Sequence, residues 1–420
     1  MRDVVITGVG VVSPIGIGCD AFWDSLVAGR SGVRPITSFD TTGLAVTFGG
    51  EIRDFDPKLY VRPRKSLKVM NRDIQLGFTA ADLAMVDSGI VAGTIAPDRF
   101  GVVFGGDMIY TDLADLESTF RRCSRDGQFR FNDWADSFTE ELYPLWLLKQ
   151  LPNMIASHIA IAHDARGPNN TIVLGEVSSL LAIAEAASVI RRGWADVMIA
   201  GGAGSRLHPL ALVARGDSIV SHRHDDCERA CRPFDRDRDG MVNGEGAGAF
   251  VLESYEHAMA RRANVRARLA GDASRYERRP GRTAPLTGES LSGAIRATLS
   301  KSGLEARDVS HVNAHGLSTV AEDRYEAAVI RRHLGDVPVT ALKSFFGHLG
   351  AGGGAVELAA SVIGIGRGLV PPTLNYEAAD PDCPVNIVRD GPQPIRDGAI
   401  VSLNVARPGQ AAALAVLPPE

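Results

Sequence analysis

The chain has 420 residues, of which 45% are hydrophobic and 23% are charged, a composition that is ordinary for a soluble globular protein and allows two sizeable cores. The formal net charge of -5 gives no electrostatic reason to expect nucleic acid or an anionic membrane as a partner. No apolar run reaches the roughly 18 residues that a membrane-spanning helix needs, and the N-terminus lacks the apolar core of a signal peptide, so we expect a cytoplasmic protein.

The five cysteines are few and odd in number, which favours reduced thiols over a disulfide framework. Two histidines and two cysteines fall within the segment 222–231, which is enough donors for one zinc ion. The segment has no CxxC knuckle and is rich in charge. We therefore interpret it as a solvated loop and expect no metal and no other cofactor.

The first part of the chain alternates short apolar runs with helical segments. A buried strand is predicted over 4–12, followed by a turn that contains glycines. The glycine spacing does not fit GxGxxG and no helix opens directly behind it, so we set a dinucleotide loop aside. Helices are predicted over 20–28 and 75–88, and another strand over 99–106. The polar and aromatic segment 107–150 predicts a loop-helix insertion that covers a site.

A strand, a sharp turn and a helix are predicted around Glu176. The apolar run 171–174 stops at Gly175, and a segment rich in Ala, Leu, Ile and Val follows from Ser178 to about Arg191. Glu176 therefore lies at a helix N-terminus, where orphan N–H groups and the macrodipole favour negative charge. The position suits a nucleophile or an acid, although Glu176 taken alone is better explained as an ordinary helix-start carboxylate.

The strand-and-glycine pattern returns at 195–202, and the alternation of strands with helices predicts mostly parallel sheets covered on both faces. The segment 235–240 has aspartates at calcium-loop spacing, but position 246 is glycine where such a loop needs a glutamate. We interpret it as a charged turn that leads into a strand over 244–252. Because the pattern then restarts, the sequence predicts a duplicated α/β fold with halves at 1–252 and 253–420.

Three further polar residues lie among glycines in the second half. A predicted strand over 311–316 carries His315, and a strand over 337–340 leads to Lys343 and His348. In parallel α/β sheets, functional sites assemble at strand ends. Glu176, His315, Lys343 and His348 are therefore the candidate catalytic set.

The ordered motifs resemble those of the β-ketoacyl-acyl carrier protein synthases, the ketosynthases of the thiolase superfamily. The resemblance covers essentially the whole chain. The matching motifs are Ile6-Thr7-Gly8-Val9-Gly10 with Ser13-Pro14, Arg232-Pro233-Phe234-Asp235 through Gly240, Gly244-Glu245-Gly246-Ala247-Gly248, Val312-Asn313-Ala314-His315-Gly316, and Lys343-Ser344 with Gly347-His348.

The resemblance implies a five-layered αβαβα thiolase fold of two similar halves, a dimer, and an acyl carrier protein with a malonyl or acyl thioester as partner. It implies that the elbow normally carries an acyl-accepting cysteine. It further implies that His315 and His348 bind the thioester oxygen of malonyl and stabilise its enolate, with Lys343 supporting the second histidine. Asp107 and Met108 would lie near the dimer interface and acyl tunnel, where an acidic residue suits a short or polar chain.

The chain departs from the family pattern at two places. Glu176 occupies the cysteine position, and a carboxylate is a far weaker nucleophile towards a thioester, so condensation by this chain alone is not expected. The family's Gly-Phe-Gly-Gly loop is replaced after Asn404. In that alignment Pro408, which has no N–H, takes the place of an oxyanion-hole donor worth about 3–4 kcal/mol. Arg407, preceded by alanine, resembles the corresponding loop of chain-length factors.

These departures favour a noncondensing chain-length-factor-like subunit, as a heterodimer with a cysteine-bearing ketosynthase or as a homodimer, without nucleic acid or membrane partners. One alternative is a malonyl-carrier-protein decarboxylase that supplies an acetyl starter through His315 and His348. Others are general-base hydrolysis or cyclisation by Glu176 and a purely structural role for the histidines.

The protonation state of Glu176 bears on this choice. An anion about 4 Å from an enolate would cost on the order of 4 kcal/mol at an effective dielectric constant of about 20, whereas a neutral carboxyl would permit decarboxylation. Burial favours the neutral form, and the helix N-terminus and Lys343 favour the anion.

Overall fold

The computed structural model describes residues 2–216, 219–279 and 286–419. The strands in these residues are β1 (Val4–Ser13), β2 (Gly16–Ile17), β3 (Val33–Pro35), β4 (Phe48–Gly50), β5 (Phe100–Gly105), β6 (Ser124–Arg125), β7 (Gln128–Phe129), β8 (Asn169–Ile172), β9 (Val197–Ser205), β10 (Glu245–Ser254), β11 (Ala267–Tyr276), β12 (Val309–Asn313), β13 (Pro338–Thr340), β14 (Leu369–Val370), β15 (Asn386–Ile387), β16 (Gln393–Pro394), β17 (Ala399–Val405) and β18 (Gln410–Leu417).

The α-helices in the same residues are α1 (Cys19–Val27), α2 (Arg72–Ser88), α3 (Leu113–Cys123), α4 (Trp134–Glu141), α5 (Met154–His163), α6 (Ser178–Arg191), α7 (Pro209–Arg215), α8 (Tyr255–Ala260), α9 (Glu289–Ser302), α10 (Val320–Leu334), α11 (Lys343–Phe346) and α12 (Gly353–Arg367). Within the described ranges, no helix combines the length and the apolar character that crossing a bilayer requires.

Two groups of strands in the large sheet repeat one topology. The first runs β8-β5-β9-β10-β1 and the second runs β13-β12-β17-β18-β11, and the two join where β1 pairs with β11. In each group the first three strands are parallel to one another and the last two pair antiparallel. The strands therefore show the internal duplication that the restarting sequence pattern predicts.

Helices cover these two groups of strands in layers. Helices α2 and α5 pack on the outer face of the first group, and α9 packs on β11 and β18 of the second. Helices α6 and α12 contact strands of both groups and lie between them, in the largest hydrophobic core. The layer order is helix, sheet, helix, sheet, helix, which confirms the α/β thiolase-like fold class.

The prediction of mostly parallel sheets was wrong for the central strands. Parallel neighbours need a crossover that covers one face, and helices supply it between β5 and β8 and between β12 and β13. Residues 406–409 join β17 to β18, and so short a link can only make an antiparallel hairpin. Composition and periodicity do not record this difference in connection length.

The glycines of β1 are explained by helix packing. A Cβ atom at Gly10 would lie 1.9 Å from the carbonyl oxygen of Ala80 in α2, and one at Gly8 would lie 2.2 Å from that of Ala84. Helix α2 begins after Asn71, whose side chain accepts a hydrogen bond from the Ile74 N–H, as an N-cap residue does. The glycines thus allow α2 to approach the sheet closely.

The predicted charged turn at 235–240 is partly buried, with Asp235 and Arg238 inside and the other charged side chains exposed. Asp235 is fully buried and pairs with Arg232 at 2.9 Å, while Arg238 pairs with Asp380 at 2.7 Å.

All five cysteines are free thiols. Among the described residues, no group of three or more His, Cys, Asp or Glu side chains is arranged to hold a metal ion.

Candidate active site

Five strands, three from the first repeat and two from the second, end beside one cavity of about 630 Å³. In the first repeat, Asp107 follows β5, Glu176 follows β8 and Arg206 follows β9. In the second repeat, His315 follows β12 and Arg407 follows β17, and both line the same cavity. The structure therefore brings candidate residues that are far apart in the sequence to the carboxyl ends of the strands.

Glu176 lies on a single turn of 3-10 helix, Gly175–Val177, directly before α6. Gly175 has φ of +60°, a conformation that glycine adopts without penalty, and it lets the chain reverse between strand and helix. The Ser178 hydroxyl fixes the turn by donating to the Gly175 carbonyl and accepting from the Leu174 N–H. The Glu176 side chain, 14% exposed, faces the cavity.

His348 donates a hydrogen bond to Glu176. The Gly350 N–H lies 3.1 Å from Nδ1 of His348, so Nδ1 is the acceptor and Nε2 carries the hydrogen. That Nε2 lies 3.2 Å from Oε1 of Glu176. The elbow carboxylate therefore occupies the donor that the family resemblance assigns to the thioester oxygen.

His315 has the same tautomer. Its Nδ1 lies 3.3 Å from Nζ of Lys343, which is a donor, so its hydrogen is also on Nε2. Its backbone N–H donates to Oε1 of the buried Glu326, which holds the end of the strand in place. The two imidazole rings are 6.2 Å apart and nearly perpendicular.

Lys343 is fully buried and belongs to a structural network. Its Nζ donates to the His315 carbonyl at 2.6 Å and to Oε1 of Glu357 at 2.5 Å. The other oxygen of Glu357 accepts from Nδ2 of Asn404 at 3.0 Å. Lys343 thus supports His315 in the structure, whereas the resemblance assigns it to His348.

Arg206, which the sequence analysis did not single out, is the cation beside Glu176. Its side chain is 9% exposed, and Nη1 lies 3.5 Å from Oε1 of Glu176. Its Nε donates to Oδ1 of Asn243 at 3.2 Å. The available signal was a cation directly after the glycine-bearing strand β9, at the same sheet edge as the other candidates.

The local charges favour an ionised Glu176 and neutral histidines. Burial opposes the charge on Glu176, but the hydrogen bond from His348 and the charge of Arg206 hold its pKa well below the ordinary value. Burial, reinforced by Arg206, lowers the pKa of His348 to about 3. Burial and the charge of Lys343 likewise hold the pKa of His315 well below its usual range. Near neutral pH the elbow therefore combines the Glu176 carboxylate and the Arg206 guanidinium with N–H donors on His315 and His348.

The four predicted substrate-binding residues all line the cavity. Asp107 accepts a hydrogen bond from the Met108 N–H, and the Met108 side chain is exposed at the cavity wall. Arg407 and Pro408 form the exposed part of the turn between β17 and β18. The Cβ atom of Ala406, in the same turn, is 4.0 Å from the place a Cβ on Gly175 would occupy, so this turn lies against the elbow.

Most of the chain is similar in sequence to known proteins. Residues 1–258 match the N-terminal domain of β-ketoacyl synthases, and residues 266–377 match their C-terminal domain. A polyketide β-ketoacyl synthase 1 of Streptomyces cyaneus is 38% identical over 413 residues, which cover 96% of this chain and 94% of the relative.

Two solved structures are similar over the full length of both chains. One is the ishigamide ketosynthase/chain length factor, with a TM-score of 0.85 and 29% identity. The other is a type II polyketide synthase acyl-carrier protein in complex with its ketosynthase bound to the hexaketide, AntDE:AntF, with a TM-score of 0.85 and 28% identity.

Proposed function

The chain belongs to the β-ketoacyl synthase family, and we propose that within it the protein is a noncondensing subunit of the chain-length-factor kind, paired with a cysteine-bearing ketosynthase of polyketide or fatty-acid synthesis. The observation that carries the proposal is the ionised Glu176 at the elbow, bound by His348 and Arg206. An acyl carrier protein is the proposed second partner.

The absence of a usable thiol supports this proposal. Within the described residues, no cysteine lines the cavity. Burial raises the pKa of Cys19, Cys231 and Cys383 to about 12, so their thiols stay protonated and unreactive near neutral pH. Without a thiolate there is no acyl-enzyme and therefore no condensation on this chain.

The charge on Glu176 also argues against chemistry by the chain alone. A carboxylate whose pKa lies far below neutrality is a weak general base, which disfavours hydrolysis or cyclisation of a bound acyl group. A carboxylate about 4 Å from a developing enolate would cost on the order of 4 kcal/mol, which opposes malonyl decarboxylation. Glu176 also occupies the Nε2–H of His348 that would bind the thioester oxygen.

An open sheet edge beside the site fits a subunit that pairs with another ketosynthase. Strand β8 ends the sheet, and its only strand partner among the described residues is β5. Val173 and Leu174, which continue from β8 to the elbow, are 46% and 49% exposed. A free edge flanked by exposed apolar side chains is suited to pairing with another chain.

Malonyl decarboxylation remains the second candidate because the histidine pair keeps its donors. Both imidazoles are neutral with the hydrogen on Nε2, and such N–H groups can stabilise an enolate oxygen. The supporting network of Lys343, Glu357 and Asn404 also favours a maintained site over a relic.

One experiment separates the two candidates. The purified protein is incubated with malonyl-acyl carrier protein between pH 5 and 8, and separately co-expressed with a cysteine-bearing ketosynthase homologue. A chain-length-factor-like subunit should release no carbon dioxide alone, co-purify with the homologue, and change the length of its products. Carbon dioxide release by the wild-type protein, abolished by His315→Ala, would instead establish the decarboxylase, and a homodimer that binds no homologue would count against the subunit.

A further inference from the structure

We propose that Arg206 is a positioning residue that holds Glu176 as an anion against His348 and thereby keeps a latent malonyl-decarboxylating site silent. The inference rests on the proposed noncondensing function, since it explains what suppresses turnover in a site whose histidine donors are intact. Nothing in the family resemblance assigns a role to this position.

The end of β9 fixes the direction of the Arg206 side chain. Ser205 and Leu207, on either side of it, line a second cavity of about 710 Å³, whereas Arg206 lines the cavity that contains Glu176. Side chains alternate between faces along an extended chain, so the continuation of β9 directs Arg206 alone towards the elbow. The Arg206 N–H donates to the Gly244 carbonyl at 3.0 Å, and Nε donates to Asn243.

The guanidinium is the permanent charge in contact with Glu176. Within the described part of the chain, the basic groups within 4.0 Å of its carboxylate are Arg206 and the neutral His348. Lys343 is engaged by Glu357 and the His315 carbonyl. The other titratable or charged side chains that line the cavity are Asp107, Arg279, His315, Glu322, Tyr325 and Arg407.

Loss of the guanidinium should change the protonation of Glu176. Burial favours the neutral carboxyl, and an adjacent opposite charge lowers a carboxyl pKa by about 1–3 pH units, so removing that charge should raise the pKa of Glu176 by this amount. A protonated Glu176 carries no charge to oppose an enolate. It also no longer needs the Nε2–H of His348, which then becomes available to a thioester oxygen.

Protonation of Glu176 would permit malonyl decarboxylation, which needs no reactant besides water. The bond between the malonyl carboxylate carbon and the α-carbon breaks, and carbon dioxide leaves. The bonding electron pair moves into an enolate whose oxygen accepts from the Nε2–H groups of His315 and His348. A proton from water at the α-carbon then gives the acetyl thioester and hydroxide.

The test compares four proteins with malonyl-acyl carrier protein from pH 5 to 8, with carbon dioxide release and the intact mass of the carrier protein as readouts. They are the wild type, Arg206→Met, the charge-preserving control Arg206→Lys, and Glu176→Gln. We expect no turnover by the wild type or Arg206→Lys, and turnover with little pH dependence by Glu176→Gln. Above the raised pKa of Glu176, Arg206→Met should turn over about tenfold faster for each pH unit of acidification, as the protonated fraction grows.

Each outcome tests a different part of the proposal. Turnover by Glu176→Gln with none by Arg206→Met at any pH would overturn the role of Arg206. No turnover by Glu176→Gln would overturn the latent site itself. Turnover by the wild type would instead refute both a silent site and the chain-length-factor role, and would favour the malonyl decarboxylase.

The protonation state of Glu176 can also be measured directly, without relying on turnover. Isotope-edited infrared difference spectra against Glu176→Gln isolate the Glu176 carboxyl band, and its titration gives the protonation state in each variant. The Arg206→Met band should convert to the protonated form at a higher pH than the wild-type band, and Arg206→Lys should titrate like the wild type. Identical titrations in all three would refute the proposal. If Arg206→Met folds poorly, Arg206→Gln keeps a hydrogen-bonding side chain without the charge and serves the same comparison.

Discussion

Restoring the nucleophile by Glu176→Cys should not restore efficient condensation, because we propose that Pro408 takes the place of an oxyanion-hole donor in the turn at 406–409. If the loop after Asn404 matches the family's Gly-Phe-Gly-Gly loop, the donor would be a backbone N–H at position 408, where this chain has proline. The structure places this turn against the elbow, with the Ala406 Cβ atom 4.0 Å from a Cβ built on Gly175. The turn that would carry this donor therefore lies beside the elbow at position 176.

The expected loss of acyl-transfer rate follows from the usual cost of one missing oxyanion-hole donor. Removing one oxyanion-hole donor typically costs about 3–4 kcal/mol, or about 10²–10³ in rate. The thiol itself should not limit the reaction, since Arg206 is 3.5 Å from the Glu176 carboxylate and a cation close to a thiol lowers its pKa. The remaining deficit should therefore be attributable to position 408.

Intact mass spectrometry measures the rate of acyl transfer from an acylated carrier protein to Glu176→Cys. Adding Pro408→Ala, which supplies an N–H, should increase that rate by about 10²–10³. Adding Pro394→Ala instead, at an exposed proline outside the cavity, is the matched control and should leave the rate close to that of the single variant. Equal rates for Glu176→Cys with and without Pro408→Ala would refute the loop alignment and the argument built on it.

Three further predictions concern stability and assembly. Lys343→Met leaves Glu357 buried without its cation and should lower the free energy of unfolding, measured in urea, by about 3–5 kcal/mol. Adding Glu357→Gln should recover most of this loss. Equal free energies of unfolding for the single and double variants would contradict the importance of the buried pair. Burial lowers the pKa of His311 from 6.5 to about 3, so its contribution to stability is fully present above pH 6.5 and is lost at lower pH as the unfolded chain takes up a proton. The free energy of unfolding of the wild type should therefore fall by about 2 kcal/mol more between pH 6.5 and 5 than that of His311→Val. The same dependence on pH in both proteins would refute this. The β8 register directs the N–H of Thr171 away from β5, and in this chain it donates to Oδ1 of Asn170 at 2.8 Å. Thr171→Pro, which removes that N–H without breaking a bond to β5, should fold but weaken association with a ketosynthase partner in size-exclusion chromatography, and undiminished association would exclude this edge as the interface.

The sequence predicted most of the elements because their signals are local. Apolar runs bounded by glycine predicted β1, β5, β9 and β12, with boundaries shifted by a few residues. The elbow at Glu176 was predicted for the same reason, since a strand, a glycine and a helical segment are contiguous there. Antiparallel pairing in the centre of the sheet was not predicted, because it depends on the routes of connections that periodicity does not describe.

The partners of the site residues could not be predicted, because they are contacts between distant segments. The sequence assigned the charge near Glu176 to Lys343, but the structure pairs Lys343 with Glu357 and places Arg206 beside Glu176. Both cations follow strands that end at the same edge, so proximity to the site was predictable and pairing was not. Side-chain alternation at 205–207 decides which residue enters the cavity, and that register is fixed by the pairing of β9 with β10.

The charges around the elbow also bear on whether this site is a relic of a lost activity. A site that had only lost its thiol would need no charge at position 176, and a buried carboxylate there is costly unless a cation and a hydrogen-bond donor compensate it. Arg206 and His348 supply both, and Asn243 in turn anchors Arg206. Because removing any one of these partners would leave another buried polar group without its partner, each member stabilises the others. The arrangement is therefore better explained as a site built around an elbow anion than as an inactive remnant of a thiol site.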